Sequence, residues 1–265
     1  MTSPTRIHVL LAVLATSLLV APAPSRASGL PNRTLSAINN SFSLSFMESQ
    51  VGYGERATST GSGPSFPYMD TDQGGLHGAR IAVSGMRDDG IDNLYARASF
   101  SEVSGQLQFN GASGTGPQSS KMTDWALRVG QGFVWGRYML FTPYVTYGHH
   151  NWLRGGTQKF SNEYLGGGVL FQAAVASHLA MTLNFAYAET LRPALNSPSV
   201  TEGLGTSPWK RAGVSFDYRF ARNDSLFAGA RFTTFTYGAG SSLPLNEPYS
   251  KTNVVDYNVG FRLLY

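Results

Sequence analysis

The sequence predicts an all-β fold, an antiparallel up-and-down β-barrel that crosses a membrane, and three observations carry the prediction. Residues 253–265 alternate apolar and polar side chains without a break. Val255, Tyr257, Val259, Phe261, Leu263 and Tyr265 share one face, while Asp256, Asn258, Gly260, Arg262 and Leu264 share the other, which is the period of two of a β-strand. One face suits lipid and the other water, and closing the sheet into a barrel removes the sticky edge that such a strand would otherwise expose. The second observation is composition: 30 Gly, 13 Tyr and 16 Phe with only 14% charged residues suit many strands, tight turns and aromatic bands at two membrane surfaces. The third is connection length, because short turns alternate along the chain with long Gly-, Ser- and Pro-rich segments.

Ten strands are expected, with eight or twelve as the alternatives. In order they cover residues 41–53, 77–87, 93–103, 122–134, 139–152, 160–174, 178–190, 208–220, 225–237 and 253–265. The seventh is the clearest after the last: Leu179, Met181, Leu183, Phe185 and Tyr187 face one way, Thr182, Asn184 and Ala186 the other. Turns after Arg87, Val134, Ala174 and Phe220 are short, whereas 54–76, 104–121, 191–207 and 238–252 read as long loops. Short connections on one side and long ones on the other are the habit of a transmembrane barrel, and an even strand number returns both ends of the barrel to the same side.

The amino terminus predicts export. Arg6 precedes an apolar stretch over residues 7–21, which is followed by Pro22, Pro24 and the small-residue site Ser25-Arg26-Ala27. This is the layout of a cleaved signal peptide over residues 1–27, and the run is shorter than the roughly 18 to 20 residues of a spanning helix. Residues 28–40 then form a periplasmic lead-in and 41–265 the barrel. Losing Arg6 and Arg26 lowers the formal net charge from +4 to +2, a near balance that argues against a nucleic-acid partner. The chain has no cysteine, so no disulfide supports it in an oxidising compartment.

If the apolar rows face lipid, the opposite rows gather charge in the lumen: Arg80, Arg97, Arg128, Arg219, Arg231 and Arg262 with Asp217 and Asp256. Glu48 joins them if the parity of the first strand switches near Met47, as a β-bulge would do, which leaves Val51 and Tyr53 facing outward. These charges either pair and pack a narrow interior or line a narrow, anion-leaning pore. The modest width of a ten-stranded barrel favours packing. Trp125, Trp135, Trp152 and Trp209 all fall near strand ends and are expected as interfacial anchors.

Asn258, Gly260, Leu263 and Tyr265 resemble the carboxy-terminal insertion signal of bacterial outer-membrane β-barrels. With the signal peptide, the chain resembles the small integral outer-membrane proteins of Gram-negative bacteria, a class that includes OmpA-like barrels, opacity proteins and porin-like channels. The resemblance implies residence among outer-membrane lipid and lipopolysaccharide, transient engagement of the barrel-assembly machinery, and long outer loops open to an extracellular ligand. It carries no catalytic residue and implies no cofactor.

Enzymatic alternatives rest on residues near the outer rim. A protease resembling the omptins, also ten-stranded, would need a His and carboxylates on opposite walls; His149, His150, Asp124, Asp70, Asp72 and Glu163 are the candidates. His150 has the inward parity and His149 the outward, so at most one enters the lumen. A lipid-modifying hydrolase would need a Ser-His-acid set, and His149 with Ser161 lacks the motif context for it. Asp88-Asp89-Gly90-Ile91-Asp92 reads as a turn and not a calcium loop, because the ligand spacing and the distal Glu are missing. No metal site is expected. The sequence therefore predicts a non-enzymatic barrel with a structural or interaction role and at most narrow passage of small solutes.

Overall fold

The computed structural model describes residues 33–56, 70–87, 93–111, 114–198, 200–239 and 249–265. The expected signal peptide and the Asp88 to Asp92 turn lie outside these residues. One short helix, α1 (Arg33–Asn39), precedes twelve strands: β1 (Ser41–Arg56), β2 (Asp70–Arg87), β3 (Leu94–Gly111), β4 (Gly114–Gln131), β5 (Phe133–Trp135), β6 (Met139–Arg154), β7 (Gln158–Ala176), β8 (Leu179–Ser197), β9 (Val200–Gly203), β10 (Pro208–Arg219), β11 (Asp224–Tyr237) and β12 (Tyr249–Leu264). All neighbours pair antiparallel. β1 pairs with β12 and β10 with β8, which closes a barrel of ten long staves; β5 and β9 are short additions at its two ends. The ten staves match the ten expected, and both barrel ends emerge on the side of the short turns.

The staves are longer than the sequence pattern suggested. The expected loop 104–121 is instead the paired continuation of β3 and β4 up to Gly111↔Gly114, and 70–76 belongs to β2. β6 and β7 are joined by three residues, with Gly155 and Gly156 at φ 59° and 76°, the left-handed region that a tight hairpin requires and glycine enters without strain.

The cause is a reversal of polarity halfway up the barrel. On β12 the outward row Tyr257, Val259, Phe261, Leu263 and Tyr265 is exposed and apolar, but further up it becomes Lys251 and Asn253. On β1, Phe42, Leu44 and Phe46 give way to Glu48 and Gln50. Ten steps from Val255 to Tyr265, at about 3.3 Å each and a tilt near 40°, rise about 25 Å, the height of an outer-membrane apolar band. Above that band the wall stands in water, so apolar side chains turn inward. There Met47, Val51, Tyr53, Leu76, Trp152, Phe160, Tyr164, Trp209, Phe235 and Tyr237 form a fully buried core.

This reversal corrects two expectations. The register of β1 against both neighbours is unbroken from Ser41 to Gly54, with no bulge at Met47, so Glu48 faces outward and Val51 and Tyr53 face inward. Trp152 and Trp209 are 0% and 1% exposed inside the barrel and are not interfacial anchors. Trp125, beside Tyr147 and His149, and Trp135, at 68% exposure on a short-turn end, do lie on the outer surface.

Candidate functional site

The lumen is the candidate site, and it is stacked in layers. At the inner mouth, helix α1 lays Leu35 and Ile38 against Met86, Tyr95, Leu140, Tyr144, Leu170 and Ala180. Asn39 Nδ2 donates to Gln172 Oε1 at 2.9 Å, and Thr34 Oγ1 to the Ser177 carbonyl at 2.8 Å, so the helix is tied to the far wall as well as to β1. The lead-in expected at 28–40 thus contributes a floor to the barrel.

Above the floor lies a polar cavity of about 130 Å³ lined by Arg80, Arg97, Arg128, Arg231 and Arg262, together with Asn184 and Asn258. Arg128 lies over the Tyr144 ring at 4.9 Å, and Arg262 over Phe227 at 4.9 Å. Arg262 also reaches Asp217 at 2.9 Å and donates to the Ile38 carbonyl at 2.9 Å, which couples β12 to β10 and to the helix. Arg219 sits at the inner rim, 3.4 Å from the Ser177 carbonyl.

The next layer is a charge cluster. Arg231 Nε donates to Asp256 at 2.7 Å, and Ser49 Oγ donates to the other oxygen of that carboxylate at 2.6 Å. Asp124 accepts from Tyr164 at 3.3 Å and lies 3.6 Å from Arg211 and 3.9 Å from His150 Nδ1. Register pairing of Asp124 with His150 brings the two together from adjacent strands. Both stand among residues of the aromatic core, Asp124 between Met122 and Ala126 on its strand and His150 packed on Phe235 at 4.7 Å. His149 lies on the outer face in register with Glu163, and Ser161 pairs with Asn151.

The core above is built of stacked rings, Tyr164 on Trp209 at 4.4 Å and Trp152 on Phe160 at 5.6 Å. Tyr164 lies against Gly148, where any side chain would collide with the ring. Arg154 caps this layer. Its guanidinium meets Asp72 at 2.5 Å, Glu55 at 3.1 Å and Asp70 at 3.7 Å, and lies 4.7 Å above the Tyr53 ring.

Of the charges expected in the lumen, Arg80, Arg97, Arg128, Asp217, Arg231, Asp256 and Arg262 project inward and Arg219 reaches the inner mouth, but Glu48 lies outside and hydrogen-bonds to Gln50. Reasoning from sequence missed Arg211, Arg154, Glu55 and Asp72 as lumenal. Arg211 stands two residues before Gly213 on the inward row of its strand, and Arg154 continues the row of His150 and Trp152, so extending each row would have found them. Of the insertion-signal residues, Asn258 and Gly260 face the lumen, and Leu263 and Tyr265 face outward. Tyr265 donates its hydroxyl to the Ser84 carbonyl at 2.7 Å and its backbone N–H to Asn40.

A closed ten-stave barrel with an apolar belt and short turns at one end is the fold of the bacterial outer-membrane β-barrel proteins. Among solved structures, the chain is similar to the outer membrane protease OmpT from Escherichia coli, with a TM-score of 0.55, 9% identity and coverage of 88% of this chain and 99% of that one. It is also similar to the translocator domain of the autotransporter NalP from Neisseria meningitidis (TM-score 0.39, 12% identity, 98% and 96% covered). A third is Ail, the attachment invasion locus protein of Yersinia pestis (TM-score 0.33, 11% identity, 85% and 99% covered). No protein-family model matches the chain, and no curated protein matches it by sequence.

Proposed function

We propose that the protein is a non-catalytic barrel of the outer membrane, exported by its signal peptide, that passes no solute and serves as a rigid envelope element presenting its outer hairpins to the surroundings. The observation that carries this reading is that side chains fill the lumen at two levels, α1 and its apolar contacts below and the ring-stacked core above. Of the arginines between them, Arg231 pairs with Asp256 and Arg262 with Asp217, which supports a packed interior over an open path. His150 is buried against Phe235 and Asp124 is paired with Arg211, which supports a packing role for the two over catalysis. The partners in this reading are outer-membrane lipid and lipopolysaccharide around the belt, the barrel-assembly machinery during insertion, and an extracellular ligand at the outer ends, where binding residues on a stable scaffold are usually placed.

Recording from planar bilayers tests it. Folded wild-type protein should give no discrete current steps, whereas a variant lacking residues 33–39 and carrying Phe160→Ala and Trp209→Ala should conduct, since both seals are then removed. Stepwise anion-leaning current from the wild type, weakened by Arg231→Ala, would replace this reading with a pore.

A further inference from the structure

We infer that the cavity between α1 and the charge cluster is a binding site for a small oxyanion of the phosphate or sulfate type. Five arginines line the cavity and no carboxylate does. Asp256 is engaged by Arg231 and Asp217 by Arg262, so the nearby acids are already taken. Among the described residues, no carboxylate comes within ion-pair distance of Arg80, Arg97 or Arg128.

Register sharpens the point. Arg97 on β3 and Arg128 on β4 are direct cross-strand partners, both pointing into the lumen. Like charges placed directly opposite repel, and in an enclosed lumen the repulsion is screened far less than at a surface. Arg80 on β2 faces the same space, and its Nη2 is buried with no hydrogen-bond partner. Half-buried charges of one sign gathered in a lumen are costly, and an anion sharing the space would offset that cost.

The size and lining of the cavity choose among anions. A cavity of about 130 Å³ has space for a small tetrahedral oxyanion together with water. Guanidinium forks match oxyanion oxygens in pairs, and Asn184, Asn258, Ser99 and Thr182 add neutral donors around the wall. Ile38 and Asn39 of α1 line the same cavity, so the anion is held behind the helix and enters from the inner side or during folding.

The test refolds the full mature chain in gluconate buffer with and without inorganic phosphate. It then measures retained phosphate by dialysis and the midpoint of heat modification on gels. Retention of about one phosphate per folded barrel with a raised midpoint is expected. Arg97→Gln combined with Arg128→Gln should lose retention while matching or exceeding the wild-type midpoint in gluconate, because the facing charges are gone. Should that pair fail to reach the folded form, Arg80→Gln carries the same comparison. No retention by folded wild type, equal retention by the folded variants, or the same midpoint shift from chloride at matched ionic strength would overturn the inference. The inference rests on the closed lumen. A conducting barrel would sink both readings, and a silent one that retains no phosphate would sink only this one.

Discussion

Arg154 answers three carboxylates from two strands, with Asp72 fully buried beneath it and Tyr53 stacked against it. Removing one side of such a cluster strands the other in a dry setting. Arg154→Gln should therefore destabilise the barrel by about 3–5 kcal/mol, read from urea titrations of the folded form in lipid vesicles. Replacing Asp72 by Asn in the same chain should recover part of that loss, since one stranded charge is then gone. At this scale the sequence was legible only in part. Arg231 and Asp256 declare themselves because each sits on the polar face of a cleanly alternating strand. Glu55, Asp72 and Arg154 do not, because they lie where the outer half of the wall has exchanged its faces, and a pattern rule built on lipid outside reads that stretch as loop.

The terminal strand is a closing element. β12 is held on one side by β11 and on the other by β1 through sixteen residue pairs, from Ser41↔Leu264 to Arg56↔Tyr249. Its last residues fasten the seam: Leu264 is buried inside, and Tyr265 reaches across β1 to the Ser84 carbonyl of β2. At Gly260 β12 lies tight against β1, since a Cβ there would run into the Leu44 carbonyl and the Ser45 side chain. Deleting residues 263–265 should abolish assembly, and the readout is the heat-modifiable species in the outer-membrane fraction; a truncated chain that still arrives folded would remove the insertion role from these residues. The strands themselves were readable because the period of two persists wherever one face meets lipid. Their upper ends were not, since β2, β3 and β4 continue there with Gly, Ser and Gln, residues shared by loops and by water-washed strands.

Taken as one body, the molecule has two solvents and two interiors. Its lower half shows lipid an apolar wall around a polar, basic interior, and its upper half shows water a polar wall around a dry, aromatic one. A charge on the outer wall should therefore cost according to height. Val259→Arg, in the middle of the apolar belt, should lose about 2–4 kcal/mol on folding into vesicles, whereas Glu48→Arg, above it, should lose about 0–1 kcal/mol. Equal costs at the two positions would mean that the membrane boundary is misplaced. The same division sorts the four indoles. Trp152 and Trp209 stand in the dry interior, while Trp125 and Trp135 stand on the outer wall near opposite edges of the belt. Light emitted by this protein thus comes from two unlike places: one pair of fluorophores senses lipid as soon as the wall inserts, and the other brightens only when the staves have closed around it, so a single emission record separates insertion from closure.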